Sequence, residues 1–193
     1  MFNIQDDKAV GIVNDWDMAT RLNSANQVPR SSAHHRTGTL PFMAVDLLRP
    51  SPPGHCYRHD LESFFYVLLW AAVSYDLKEN CYVEPARSLF GKWLSDDMED
   101  VFLFKTSLFS QWREVMGLVR EEWEPIKPWL RKLREPLFRL YTKRTELSTD
   151  EEELTLANMQ EMESMFTFEI FMKAVDDAEA QGDEKGKGVG ISG

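Results

Sequence analysis

The chain has 193 residues, with 32 acidic and 22 basic side chains and a net charge of −10. That length favours one domain with enough apolar residues for a core, and two cysteines, Cys56 and Cys81, exclude the multi-bridge framework of a small secreted module. The acidity is local: from Thr149 onward twelve Asp and Glu stand against three Lys, so that part carries −9 and the first 148 residues −1. An acidic balance argues against nucleic-acid binding, which needs a basic footprint.

The opening MFNIQDDK lacks the basic-then-apolar pattern of a signal peptide. The longest apolar run, FFYVLLWAAV, spans ten residues, whereas a helix needs roughly 20 to cross a bilayer. A soluble, intracellular protein of cytoplasm or nucleus is expected, with no membrane contact and an oligomeric state that the sequence leaves open.

Apolar residues flank Asp6-Asp7-Lys8, so residues 1–15 are predicted to form a β-hairpin ending at Asp15. Arg21 to Arg36 is polar and aperiodic, a long loop of the kind that is functional or disordered. RPSPPGH, Arg49 to His55, cannot be helix interior. A helix over 60–77 follows with Asp60 as its expected N-cap, apolar on nearly every face from Leu61 to Val73 and therefore buried all round. Further helices are predicted over Ala86 to Leu94, Met98 to Met116 and Trp129 to Leu147, entered or interrupted at Pro125, Pro128 and Pro136. Thr149 and Glu152 resemble a capping box for a last helical region. Within it Phe168, Phe171, Met172 and Val175 fall on one stripe that should pack on the body. Residues 182–193 are expected to be a disordered tail. Their G-x-G-x-x-G wording, Gly188 to Gly193, has no strand before it and no helix after it.

Asp15 and Asp17 bracket Trp16 just after an apolar run. A carboxylate at a strand end suits Mg²⁺ bridging nucleotide phosphates, yet Asp-x-Asp alone is as easily a turn. The next forty-five residues shift that balance. GTLPFMAVDLL, Gly38 to Leu48, resembles the kinase G-T-x-x-Y-M-A-P-E segment, with Phe42 for Tyr and Val45-Asp46 for Pro-Glu. DWDMA resembles D-F-G-L-A, and HDLESFFYVLLW resembles the start of the kinase central helix with Asp60, Ser63 and Phe64 in register. Three motifs in order are far more specific than one. Their wording, DWDMA … RTGTLPFMA … YRHDLESFFYVLLW, is most similar to the fungal-type protein kinase family, over roughly Asn3 to Trp70.

The resemblance implies a mainly α fold: a kinase-like large (C-terminal) lobe with a short N-terminal β-hairpin and no N-terminal lobe. It implies one unit over 1–181, with the hairpin at 1–15, an activation-segment-like loop at 15–48, a buried central helix at 60–77 and peripheral helices over 86–181. Asp15 matches the magnesium-binding Asp and Asn3 the Asn that holds a second ion. Gly38 and Thr39 match the loop that receives the substrate hydroxyl, and Asp46 the acid that pairs with a distant Arg, for which Arg120 to Arg144 offers several candidates. Asp60 matches the residue that anchors the catalytic-loop backbone. Ser31, Ser32 and Thr37 would be possible phosphoacceptors. The intact family member uses Mg and ATP on a protein substrate.

Departures matter as well. Asp17 replaces a Gly whose freedom permits a backbone flip, suggesting a stiffer hinge. The kinase base lies five residues before the Asn, a position that would precede Met1, as would the phosphate-anchoring Lys and the Gly-rich loop. No catalytic residue is therefore assigned within the chain, and it is expected to be inactive alone. An absent lobe should leave apolar surface exposed near the hairpin and Trp16. A small-molecule phosphotransferase without its N-terminal half and a non-enzymatic binding or scaffold module are the alternatives. His55, Cys56 and His59 lack a fourth ligand for zinc and read as helix-cap packing.

Overall fold

The computed structural model describes residues 2–5, 8–11, 39–84, 91–147 and 155–187, with side chains described within 39–84, 91–147 and 155–178. Over these the chain is mainly helical and carries two small antiparallel sheets. Strands β1 (Phe2–Gln5) and β2 (Lys8–Gly11) pair in a hairpin, Phe2 opposite Gly11 and Gln5 opposite Lys8. The expected continuation to Asp15, together with Trp16, lies outside the described residues.

From Thr39 the chain makes two short 3-10 turns, Leu40–Phe42 and Val45–Leu48, joined by extended Met43 and Ala44. Helix α1 then runs from Tyr57 to Ser74, three residues earlier at each end than expected. Its N-cap is Cys56 and not Asp60. Cys56 is extended (φ −138°, ψ 164°), and its backbone N–H donates to Nδ1 of His59 at 3.1 Å in a capping box, so the helix nucleates before Asp60 is reached. The histidine beside the cysteine thus serves the cap. Among the described residues no three His, Cys, Asp or Glu gather as a metal site.

Burial of α1 also differs from expectation. Leu61, Phe65, Tyr66, Leu69, Ala72 and Val73 are buried, but Tyr57, Asp60, Phe64 and Val67 are open to solvent, Phe64 at 62 %. Spaced at i, i+3, i+7 and i+10, these four form one stripe of the helix. An apolar sequence fills both faces; among the described residues only one finds a packing partner.

The chain leaves α1 through a tight hairpin, β3 (Tyr75–Asp76) and β4 (Cys81–Tyr82). Asn80 takes positive φ (54°) in its turn, a conformation that Asn tolerates, and Asp76 Oδ1 accepts the N–H groups of Lys78 and Glu79. Of the helix expected over Ala86 to Leu94, Gly91–Leu94 are a turn, and 85–90 lie outside the described residues. That turn delivers Trp93, fully buried and stacked on Phe104 at 5.1 Å.

Helix α2 (Met98–Leu108) starts at Asp97, whose carboxylate accepts from the backbone of Glu99 and Asp100. The run expected to reach Met116 breaks after Leu108 and restarts as α3 (Trp112–Gly117). Ser107 explains the break: its carbonyl accepts from Ser110 N, Gln111 N and the Ser110 hydroxyl, a local arrangement that competes with the helix.

Helix α4 (Lys127–Leu147) buries Leu130, Leu133, Leu137 and Leu140, a stripe at helical spacing that survives Pro136 inside the helix. Helices α5 (Leu156–Met165) and α6 (Phe168–Lys187) pack against α4. Lys143 on α4 meets Glu161 on α5 at 2.8 Å, so the acidic end of the chain lies on its most basic helix. The N-cap of α5 is Thr155; Thr149 and Glu152 lie outside the described residues. The expected stripe on α6 is rotated: Phe171 and Val175 pack, together with Ile170 and buried Ala174, while Phe168 and Met172 are exposed. The helix continues through Gly182 to Lys187, past the boundary expected at 181, because its Ala, Glu and Lys residues are strong helix formers. No helix among the described residues is long and apolar enough to cross a membrane.

Candidate functional site

The segment Leu40–Leu48 makes the most concentrated set of buried polar contacts in the described chain. Its backbone explains why. Met43 and Ala44 stand between two 3-10 turns in extended geometry, so the polar groups around them lack a regular ladder, and buried backbone groups must find partners.

Side chains from three directions supply those partners. Trp93 Nε1 donates to the Pro41 carbonyl at 2.6 Å. Lys105 Nζ, from α2, donates to the Met43 carbonyl. Glu62 Oε1, from α1, accepts the Val45 N–H at 2.9 Å. Two opposite charges therefore grip the chain on either side of Ala44, which is itself fully buried.

Glu62 is also the hub of a tyrosine pair. Tyr66 donates to its Oε1 at 3.2 Å, Tyr141 of α4 donates to the same oxygen, and the two phenols share a contact of 3.0 Å. Burial raises the Glu62 carboxyl above its ordinary value, opposed first by the Tyr141 hydrogen bond and then by the Val45 N–H. Burial, then the Glu62 charge, holds both phenols well above the usual tyrosine range, so both remain donors. Lys105 lies 3.9 Å from the Tyr66 ring centroid and is 0 % exposed. Its burial pulls the amine down to about 7, against the pull of Glu62.

Two residues along, Asp46 is buried among three guanidinium groups. Arg58 Nη2 lies 2.6 Å from Oδ2, Arg49 Nε 3.4 Å from Oδ1 and Arg144 Nε 3.6 Å from Oδ1. Arg144 falls within the range expected for the distant partner. The closest partner, Arg58, lies outside it, in the first turn of α1.

The expected site residues are placed unevenly. Asp15, Gly38, Ser31, Ser32 and Thr37 lie outside the described residues. Asn3 sits on β1, opposite Val10. Thr39 is exposed at the head of the segment, where its carbonyl accepts from Phe42 N at 2.8 Å. Asp60 is exposed on α1, its Oδ1 2.9 Å from His55 Nε2. Thr39 and Asp46 share one anchored segment, and Asp60 stands on the helix behind it.

Sequence reading missed Glu62, Lys105, Arg58 and Trp93. The first two had a readable signal: Glu62 is the one charge in the apolar stretch from Leu61 to Val73, and Lys105 interrupts VFLFKTSLF. A charge inside an apolar run asks for a buried partner.

This geometry lies largely within a stretch that matches a known family. Residues 1–72 match the model described as fungal protein kinase, which marks the chain as kinase-related. That span holds β1, β2, the Leu40–Leu48 segment and most of α1, and over it the chain is similar to the fungal protein kinase family. No curated protein and no solved structure matches the chain.

Proposed function

We propose that the chain supplies the large-lobe half of a fungal-type protein kinase site, in which the γ-phosphoryl group of ATP passes to a hydroxyl of a protein substrate. Helices α1 to α6 would be that lobe, and Gly38 to Asp46 the ledge that receives the substrate. The observation that carries this reading is the anchoring of Pro41 to Asp46 by Trp93, Lys105, Glu62 and Arg58 inside the family-matched region. Phosphoryl transfer depends on positioning and electrostatics, so a substrate ledge must be rigid. Buried charged anchors on two helices make it so.

A carboxylate at Asp15 and an amide oxygen at Asn3 are the hard oxygen donors that Mg²⁺ takes. Asp15 and Asn3 would hold the ion, which when bound would supply charge neutralisation at the phosphates. The residues of this chain would then orient the acceptor: Thr39 at the exposed mouth of the segment, Asp46 and its arginines locking the far end.

On this reading no catalytic base, phosphate-anchoring Lys or Gly-rich loop is assigned within these residues, and they do not transfer phosphoryl groups by themselves. The exposed strip of Tyr57, Phe64 and Val67 around Asp60 supports an incomplete assembly, because contiguous apolar surface marks a place where something packs. The test is direct. Purified chain incubated with γ-labelled Mg-ATP and mixed protein substrates should move no label; transfer abolished by Asp15→Asn would overturn the incomplete-site reading.

A further inference from the structure

We infer that Lys105 is a positioning residue for the Leu40–Leu48 segment and that its grip on that segment is linked to proton binding. The inference rests on the reading of the segment as a substrate ledge, but its geometry stands apart from any activity.

Lys105 has three neighbours that matter. Its amine donates to the Met43 carbonyl, lies over the Tyr66 ring and is attracted by the Glu62 charge. From α1 the titratable groups near this cluster are Glu62, Tyr66 and Arg58; from α4, Tyr141; from the segment itself, Asp46. Tyr66 and Tyr141 stay protonated, which leaves Glu62 and Lys105 as the groups of this cluster whose proton binding closure of the segment shifts. Val45 N–H binds Glu62 on the other side of Ala44. Lifting the segment would uncover Met43, Ala44 and Val45 together, and with them the Lys105 amine.

The sign follows from the change in environment. In the closed segment burial holds the amine at about 7, and once uncovered it returns to its ordinary value near 10.5. Between those values opening takes up a proton, so raising the pH disfavours opening, by up to tenfold per pH unit. Below about 7 both states are protonated and the dependence on Lys105 ends. Glu62 contributes the opposite slope: its raised carboxyl gives up a proton on opening, so closure weakens as pH rises through its own range. The segment is therefore gripped harder on the alkaline side by Lys105 alone.

Amide hydrogen exchange on the full chain, corrected for intrinsic rates and read at Val45 between pH 7 and 9, tests this. The ratio of Val45 protection in wild type to that in Lys105→Met should grow with pH, approaching tenfold per unit, while amides of α4 at Leu133 and Leu137 show no matching change. A ratio that stays constant, or an equal change at α4, would overturn the latch. Should K105M not fold, Glu62→Gln serves in its place. Removing the counter-charge lowers the amine further, so protection of Val45 should begin to rise with pH at a value below that of wild type; a flat E62Q profile refutes the proposal. None of these readings depends on phosphoryl transfer, so the latch can fail while the functional reading stands, and the reverse.

Discussion

Arg58 Nη2 and Asp46 Oδ2 lie 2.6 Å apart, with only 6 % and 4 % of their side chains exposed. This pair ties the end of the Leu40–Leu48 segment to the first turn of α1. Arg49 and Arg144 bring two further positive charges to the same carboxylate. The pair is a lock rather than a source of net stability, since desolvation offsets much of the attraction between buried charges.

Breaking the lock from the acidic side is costly, because three guanidinium groups lose their shared counter-charge. Asp46→Ala should destabilise the chain by about 3–5 kcal/mol in urea unfolding. Arg144→Met removes only the longest contact and should cost about 1 kcal/mol. Equal costs would show that Arg144, not Arg58, is the principal partner.

The Glu62 hub predicts a graded series. Tyr141→Phe deletes one donor to Oε1 and should cost about 1–1.5 kcal/mol, with Tyr66 still in place. Glu62→Leu strands the Val45 N–H and both phenols, and should lower the melting temperature by more than Glu62→Gln does. A leucine variant as stable as wild type would mean that water or rearrangement satisfies all three donors.

His59 gives an acid limit to stability. It is buried and accepts the Cys56 N–H, and burial, reinforced by Arg58 and His55, holds it well below its ordinary 6.5. The unfolded chain binds a proton at this site below 6.5 and the folded chain does not, so stability falls as pH drops through that range, by up to about 1.4 kcal/mol per pH unit. His59→Gln can still accept at the third helical position. It should retain α1 while flattening the profile of unfolding free energy between pH 6.5 and 5.

The open strip of α1 predicts the reverse of a core effect. Phe64→Ser with Val67→Ser should change the unfolding free energy by no more than about 0.5 kcal/mol. The same pair should reduce self-association in light scattering, since it removes exposed apolar surface. A large loss of stability would show that these side chains are packed in solution.

Much of the helical plan was legible because its signals are local. The helix over Trp129 to Leu147 and the apolar run of α1 read directly as helices, and Asp-x-Asp, GTLPFMA and HDLESF carried the family resemblance. What was not legible depended on competition or on distance. Asp60 is a good capping residue, yet Cys56 with His59 captured the cap three residues earlier; Ser107 and Ser110 ended α2 inside an apolar run that gave no warning. The exposed side of α1 was unreadable because hydrophobic pattern reports what can be buried, not what finds a partner. Likewise, Glu62 and Lys105 were visible as odd charges, but the 42 residues between them hid that both grip the same three residues of backbone.

The central claim is that this chain holds the substrate-positioning and metal-binding half of a fungal-type kinase site. Joining it in frame after the small lobe and catalytic loop of a fungal protein kinase, and following labelled phosphate from Mg-ATP to protein, tests that claim most directly. The account predicts transfer by the joined protein, lost in Asp15→Asn and weakened in Asp46→Ala. A joined protein that folds, binds Mg-ATP and transfers nothing would contradict it.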